Sequence, residues 1–370
     1  MRLAALLVVL TALAPGQEVN PERLFQEAVA AQQRGDFSTA VSRYERILEL
    51  YPQHAVVRGN LGAALVSLGR FAEAIAQYRT ALEHEPANTT VRMNFALALY
   101  KTGAVPDAAN EFRILHEADP ANARAATLLG DCYLRLNRTS EAVALLEPLH
   151  KANPENPDVA LLLGDALIRA GRTREGVELA ERAGRLGNNP EAWLLAGTAA
   201  RQVGDFARAR DDFQNAVRLN PRLARAHSLT GIALADLGDD DAALTAFRNA
   251  LAIEPADFET NLQTGALLYR RRDLASARRH IERALESQPA APVALYQLAL
   301  VKAAAGKTAE AVADFERLIR DAPDWLEPYV QLSRLYYKVN RPEDGARARA
   351  TAERLREEAQ KRTGGTAIVP

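Results

Sequence analysis

A self-similarity with a period of about 34 residues constrains the fold of this chain more than any other feature. Counted from Pro21, ten repeats follow one another, and only the fifth is shorter, by one residue. Position 20 is alanine or glycine in all ten repeats, and position 8 is small throughout: Ala28, Gly62, Ala96, Gly130, Gly164, Gly197, Gly231, Gly265, Ala299 and Ser333. A repeat this short cannot bury an apolar face by itself, so the chain is predicted to stack its repeats one on the next.

Each repeat has the sequence signature of two helices. Apolar residues at positions 4, 7 and 11, such as Ala160, Leu163 and Leu167, form one stripe at helical spacing. Position 15 is glycine in seven repeats and asparagine in two, and these residue types tolerate the left-handed backbone that ends a helix. A proline at position 32 of eight repeats stops the second helix. The pattern predicts an all-α fold whose small residues let paired helices approach closely.

The residue pattern of the sixth repeat is similar to that of a known family. Residues 193–197 (Trp-Leu-Leu-Ala-Gly), residues 205–209 (Asp-Phe-Ala-Arg-Ala) and the segment from Ala216 to Pro221 resemble the tetratricopeptide repeat (TPR) family. The resemblance covers residues 21 to about 359. It implies a TPR solenoid, in which antiparallel helix pairs form a right-handed superhelix with a concave groove.

The period also divides the chain into segments. The predicted repeats are residues 21–54, 55–88, 89–122, 123–156, 157–189, 190–223, 224–257, 258–291, 292–325 and 326–359. Residues 17–20 form an N-terminal lead-in, and residues 360–370 are expected to be a disordered tail. The tenth repeat lacks the proline at position 32 and carries Arg349 at position 24, so its second helix is predicted to be a polar cap.

Residues 1–16 have the composition of a secretory signal peptide. Arg2 precedes an apolar run from Leu3 to Ala14, and small residues before Gln17 suit a cleavage site. Twelve residues of helix rise about 18 Å, which is too short for a hydrocarbon core about 30 Å thick. No later stretch is as apolar as a membrane span. We therefore expect an exported protein, periplasmic or secreted, whose mature chain does not insert stably into a membrane.

The charge and the chemical motifs exclude several classes of function. Lys and Arg total 46 and Asp and Glu total 47, and a formal net charge of −1 argues against a nucleic-acid partner. The single cysteine, Cys132, excludes an intrachain disulfide and a multi-thiolate metal site. The chain has no nucleotide-binding glycine loop, no nucleophile elbow and no HExxH motif. We predict no catalytic residue, no metal site and no cofactor, and hence no enzyme.

Two histidines are the nearest approach to a metal site. His116 and His150 occupy position 28 of adjacent repeats, where stacking would bring them together. No carboxylate or thiol lies at a matching offset to complete a coordination shell. Half-buried histidines that pack through their ring faces are therefore the favoured interpretation.

The resemblance also indicates where a partner would bind. In this family the concave surface is lined by positions 2, 5, 6, 9, 12 and 13 of the first helix. No repeat has lysine or arginine at position 5, so the clamp with which some TPR domains hold a C-terminal carboxylate is absent. Position 6 carries Gln26 in the first repeat and then Asn60, Asn94, Leu128, Leu162, Leu195, Leu229, Gln263, Gln297 and Gln331.

Two interpretations of position 6 remain open. Amide side chains can hydrogen-bond an extended backbone of any sequence. The row resembles the amide ladder in the TPR superhelix of eukaryotic protein O-glycosyltransferases, interrupted here by four leucines, which either line the groove or pack between repeats. Aromatic residues at positions 5 and 12 add contact surface typical of interaction sites: Tyr100, Tyr269, Tyr296 and Tyr337.

These observations together predict a non-enzymatic scaffold of the cell envelope that binds an extended or helical segment of another protein, or a peptide, in the concave groove. A subunit of an envelope assembly or polysaccharide-export complex is one alternative. A self-associating structural module is another, and a tight oligomer with an occluded groove would favour it. The residues do not identify the partner.

Overall fold

The computed structural model describes residues 20–362, and all regular structure in this range is α-helical. The helices are α1 (Pro21–Gln33), α2 (Phe37–Leu50), α3 (Ala55–Ser67), α4 (Phe71–His84), α5 (Thr89–Lys101), α6 (Val105–Ala118), α7 (Ala123–Arg135), α8 (Thr139–Ala152), α9 (Pro157–Arg169), α10 (Thr173–Gly187), α11 (Pro190–Gln202), α12 (Phe206–Leu219), α13 (Ala224–Asp236), α14 (Asp240–Ile253), α15 (Phe258–Arg270), α16 (Leu274–Ser287), α17 (Pro292–Ala304), α18 (Thr308–Asp321), α19 (Leu326–Lys338) and α20 (Pro342–Arg362). The predicted all-α class is confirmed. The predicted signal peptide (residues 1–16) and residues 17–19 lie outside the described residues.

The helices come in pairs with regular lengths. Each first helix has 13 residues and begins at position 1 of its repeat, from Pro21 in α1 to Leu326 in α19. Each second helix has 14 residues, except α10 with 15 and α20 with 21. Both exceptions belong to repeats without a proline at position 32, and α10 is instead capped by Asn188, which follows it with a φ of 46°.

Helix α20 continues past the predicted end of the last repeat. It runs to Arg362 and so includes residues 360–362, which the repeat period assigns to a disordered tail. Gln360 and Lys361 favour helix, and no glycine follows Gly345 before Gly364. The rest of the predicted tail, residues 363–370, lies outside the described range.

Position 15 of every repeat has a left-handed backbone. Asn137 and Asn340 have φ values of 56° and 58°, in agreement with their predicted role at the end of a first helix. The eighth repeat places Arg272 there with a φ of 64°. A non-glycine residue in this conformation costs about 1–2 kcal/mol. The geometry of the repeat therefore overrides the preference of the arginine.

Short polar side chains fix the start of many helices. At position 34, Asn88 and Asn156 accept hydrogen bonds from backbone N–H groups of the first helix that follows. At position 16, Asp205 and Asp239 cap the second helix in the same way. Position 34 before α19 is Trp325, which makes no side-chain cap.

Positions 8, 20 and 24 build the core of the repeats. The rings of Tyr78 and Phe213, both at position 24, are at most 1% exposed. Gly62 at position 8 faces the first of these rings so closely that an added Cβ atom would lie 2.5 Å from Tyr78 Cε1. The small residue at position 8 therefore makes room for the large one at position 24 of the same repeat.

The chain forms two compact halves, each of which is described by itself. The N-terminal half contains α1–α9, and the C-terminal half contains α10–α20. Within each half, helices that are consecutive in the chain pack against one another. Between residues 20 and 362, no helix combines the length and the apolar character needed to span a lipid bilayer.

Candidate functional site

A pocket of about 510 Å³ lies on the first helices of the C-terminal half. Its walls come chiefly from α13, α15 and α17 and from the start of α19. Most lining residues occupy positions 2, 5, 6, 9, 12 and 13, which the TPR resemblance assigns to the concave surface. Four of the predicted contact residues meet there: Gln263, Tyr269, Tyr296 and Gln297.

Aromatic rings form one wall of this pocket. The centroid of the Tyr296 ring lies 5.2 Å from that of Trp325, with the planes tilted by 41°. The same ring meets Phe315 edge to face at 5.6 Å. Burial raises the pKa of the Tyr296 hydroxyl, and the amide of Gln331 in the next repeat interacts with that hydroxyl. Packing on two sides thus holds Tyr296 in place, and Gln331 supports its hydroxyl.

Two amide side chains from position 6 lie one repeat apart in the pocket. Gln263 Nε2 donates a hydrogen bond to Glu259 Oε1 at 2.6 Å, so one end of this amide is fixed by its own helix. Gln297 Oε1 is buried and accepts a hydrogen bond from no residue of the described range. A buried acceptor without a donor costs about 1–3 kcal/mol. A bound segment would remove this cost when the Gln297 amide turns toward the pocket and accepts a donor from it.

The charged residues near the pocket form pairs between neighbouring helices. Arg201 of α11 lies 2.6 Å from Asp236 of α13. Arg270 of α15 lies 2.9 Å from Asp240 of α14. Arg270 begins a run of three arginines (residues 270–272), and Asp240 is the middle of a run of three aspartates (residues 239–241). The ion pair between them links two neighbouring helices.

The predicted leucines of position 6 lie at the boundary between core and surface. Leu195 and Leu229 in the C-terminal half are half-buried, as are Leu128 and Leu162 in the N-terminal half. Leu229 packs against the core cluster that contains Trp193. Each leucine therefore gives part of its surface to packing and leaves part accessible.

None of the predicted residues of the N-terminal half lines the pocket described above. Asn60 and Asn94 are half-buried in α3 and α5. The hydroxyl of Tyr100 donates a hydrogen bond to Asp131, and the Arg135 guanidinium lies 4.8 Å from the centre of its ring. Burial is the main cause that raises the pKa of Tyr100 to about 12. Tyr100 is therefore held by the next repeat and is less accessible than its groove position suggests.

The last predicted tyrosine is the most accessible of the set. Tyr337 on α19 is 56% exposed, and its ring lies beside Gly345 of α20. It does not line the pocket of the C-terminal half. Tyr337 can therefore contact a segment bound in the pocket only if that segment extends over α19.

Sequence reasoning missed residues that complete the pocket. Trp325 precedes its helix at position 34, which the family pattern does not assign to the groove. Val293 and Glu327 lie at position 2, a groove position, but they had not been singled out. The available signal was the change at position 34 from a capping asparagine or aspartate, such as Asp257, to a large aromatic residue.

The histidine pair and the cysteine have the environment of packed side chains. The Nδ1 atoms of His116 and His150 are buried. Cys132 is fully buried, and that burial raises the pKa of its thiol to about 12. Within residues 20–362, no three His, Cys, Asp or Glu side chains are grouped in a way that could hold a metal ion.

Three family models described as tetratricopeptide repeat match this chain. One matches residues 25–89, 194–258 and 262–324, which together are more than half of the chain. A second matches residues 65–132 and 137–197, and a third matches residues 123–148. A comparison with curated proteins found no match.

Several solved structures are similar to the chain. A tetratricopeptide repeat protein from Parabacteroides merdae ATCC 43184 is 18% identical with a TM-score of 0.50, over 63% of this chain and 93% of that one. MamA from Desulfovibrio magneticus RS-1 is 19% identical with a TM-score of 0.43, over 46% and 96%. YrrB, described as a TPR protein with an unusual peptide-binding site, is 21% identical with a TM-score of 0.44, over 51% and 97%. At such identity the first likeness shows the fold alone.

Proposed function

The chain belongs to the tetratricopeptide repeat family, and from that membership we propose that it is a non-enzymatic scaffold that binds a segment of another protein. The proposed binding site is the pocket on the first helices of the C-terminal half. One observation carries the proposal. Gln297 places a buried carbonyl oxygen without a hydrogen-bond donor from the described residues in a pocket that aromatic rings have already shaped.

The arrangement suits an extended segment. Gln263 and Gln297 project from the same position of consecutive first helices, so a bound chain can meet one amide after the other. Amides recognise backbone N–H and C=O groups, which every sequence has. Tyr269 and Tyr296 then supply aromatic surface for side chains, as aromatic residues do at protein interfaces.

A displayed library of random twelve-residue peptides tests this function. We expect selection on the full chain to enrich peptides that the variant Gln297→Leu no longer binds. Leucine occupies position 6 of four other repeats, so the repeat fold accepts it there. Asn94→Leu is the matched control, since it makes the same type of change at the same position of a repeat outside the pocket. Equal binding by both variants would place the site elsewhere, and no enrichment at all would overturn the proposed function.

We also propose that the protein acts outside the cytoplasm, in the periplasm or after secretion. The support is the sequence of residues 1–16, which has the parts of a cleaved signal peptide. N-terminal sequencing of the protein from its native cell is expected to begin near Gln17. A sequence that begins at Met1 would contradict export.

A further inference from the structure

The arginines that line the pocket are already neutralised. Arg201 and Arg270 each lie within 3 Å of an aspartate carboxylate, at 2.6 and 2.9 Å. Those aspartates, Asp236 and Asp240, belong to the seventh repeat and hold both guanidinium groups from a neighbouring helix. A carboxylate ligand would have to displace one of them. The pocket is therefore poorly suited to an anion.

The acidic groups at the rim are in the opposite situation. Glu327 lines the pocket from the first turn of α19 and forms no ion pair with any residue between 20 and 362. Glu259, in the first turn of α15, accepts a hydrogen bond from the neutral amide of Gln263 and also lacks a cation within that range. Both residues occupy position 2 of their repeats. Of these two carboxylates without cationic partners among the described residues, Glu327 thus lines the pocket, and Glu259 contacts the lining residue Gln263.

In addition to Glu327, the pocket offers apolar and aromatic surface. Val293, at position 2 of α17, is 51% exposed and lines the pocket. Tyr296 and Trp325 present their rings in the same wall. Aromatic faces attract cations, and the methylene stems of lysine and arginine pack well on apolar surface. The carbonyl oxygen of Gln297 adds a hydrogen-bond acceptor.

We propose that this pocket receives the cationic side chain, arginine or lysine, of the bound segment. The proposal rests on the proposed function, since it names the feature of the partner that the same pocket selects. The charged head lies near Glu327, and its stem lies against Val293 and the aromatic wall. The carbonyl oxygen of Gln297 and the carboxylate of Glu327 are both hydrogen-bond acceptors. They match the N–H donors of guanidinium and ammonium groups.

The peptide selection described above supplies the probes for this proposal. Peptides selected on the full chain are expected to share an arginine or lysine at one position. Each is then made with a fluorescent label and again with citrulline for arginine, or norleucine for lysine, at that position. The neutral analogue is expected to bind the unmodified protein at least about tenfold more weakly, because it keeps the shape of the side chain and loses the charge.

The variant Glu259→Gln/Glu327→Gln assigns this preference to the pocket. In that variant, the difference between the charged and neutral peptides is expected to shrink to about threefold or less. Glu22→Gln is the matched control, since it removes a carboxylate from position 2 of the first repeat, far along the chain from the pocket. It is expected to keep the full difference.

The outcomes separate this proposal from the proposed function. Selected peptides that lack a basic residue, or that tolerate the neutral analogue, would overturn the cation proposal while the scaffold function stands. A charge preference that persists in the double variant would overturn the assignment to these carboxylates. Failure to select any peptide would overturn both.

Discussion

Gly197 and Phe213 are in such close contact that a Cβ atom added to the glycine would lie 2.7 Å from Phe213 Cε1. The same atom would lie 3.1 Å from the backbone oxygen of Ala209. The ring is fully buried, so it has no solvent-exposed space into which to turn. This contact joins positions 8, 20 and 24 of the sixth repeat, and it explains why the repeat keeps small residues at two of them.

Gly197→Ala is predicted to destabilise the C-terminal half. Overpacking costs about 1–3 kcal/mol, and the better helix propensity of alanine returns about 1 kcal/mol, so a net loss of up to about 2 kcal/mol is expected. The midpoint of urea unfolding measures it. In a protein that already carries Phe213→Leu, Gly197→Ala should cost less stability than it does in the unmodified protein, because the smaller side chain leaves room for the methyl group. An additive double variant would show that the two positions do not compete for space.

Arg272→Gly is predicted to stabilise the chain by about 1 kcal/mol. Arg272 has a φ of 64° and an exposed side chain, so glycine relieves backbone strain without removing buried surface. Gly238 holds position 15 of the preceding repeat with a φ of 82°, and an added Cβ atom there would meet nothing within 4 Å. Gly238→Ala is therefore the matched opposite, with an expected loss of about 1 kcal/mol. If both variants change stability in the same direction, backbone strain is not the cause.

Much of the fold could be predicted because the same residue types recur at the same positions of successive repeats. Position 15 shows both the strength and the limit of this reasoning. Asn137 and Asn340 follow from the residue preferences of the left-handed region, whereas Arg272 does not, because the surrounding repeat imposes the conformation. Residues 360–362 show another limit, since a helix end without a glycine or proline signal has no fixed position in the sequence.

The candidate site was less predictable than the fold. Gln263 and Gln297 were found by their repeat position, and the structure brings both into one pocket. Tyr100 has an equally good position, yet its contacts with the next repeat hold it. Trp325 was missed because it replaces a helix cap. Repeat position determines which face a residue lies on, whereas the side chains of neighbouring repeats determine whether that face forms a pocket.

Leu162 and Leu163 are predicted to respond differently to the same substitution. Leu163 is 2% exposed, so Leu163→Gln leaves a buried amide and costs about 2–5 kcal/mol. Leu162 is half-buried at position 6, where other repeats carry glutamine, so Leu162→Gln should cost about 1 kcal/mol or less. Thermal unfolding of the two variants measures the difference. Equal losses would mean that position 6 belongs to the core of the fifth repeat.

Asp212 on α12 is a buried carboxyl group whose titration should change stability with pH. It is 3% exposed, and its Oδ2 atom has no hydrogen-bond partner within the described range. Burial raises the pKa of Asp212 to about 7, with a further rise from Glu181 and Asp211 and an opposing effect from Arg208 and Arg185. The ordinary value for aspartate in an unfolded chain is 3.8.

Between pH 4 and 7 the folded chain therefore keeps a proton on Asp212 that the unfolded chain releases. The contribution of this group to stability is complete below the unfolded pKa and is lost as pH rises to about 7. Asp212→Asn, which imitates the protonated form, should match the unmodified protein near pH 4 and exceed its stability by about 3–4 kcal/mol at pH 8. Urea unfolding of both proteins at the two pH values measures the difference. Asp324→Asn, at an exposed residue of the same half that does not contribute to the pKa of Asp212, is the control. If the difference in stability between Asp212→Asn and the unmodified protein stays constant with pH, the carboxyl group titrates normally. Water would then reach this group in the folded chain.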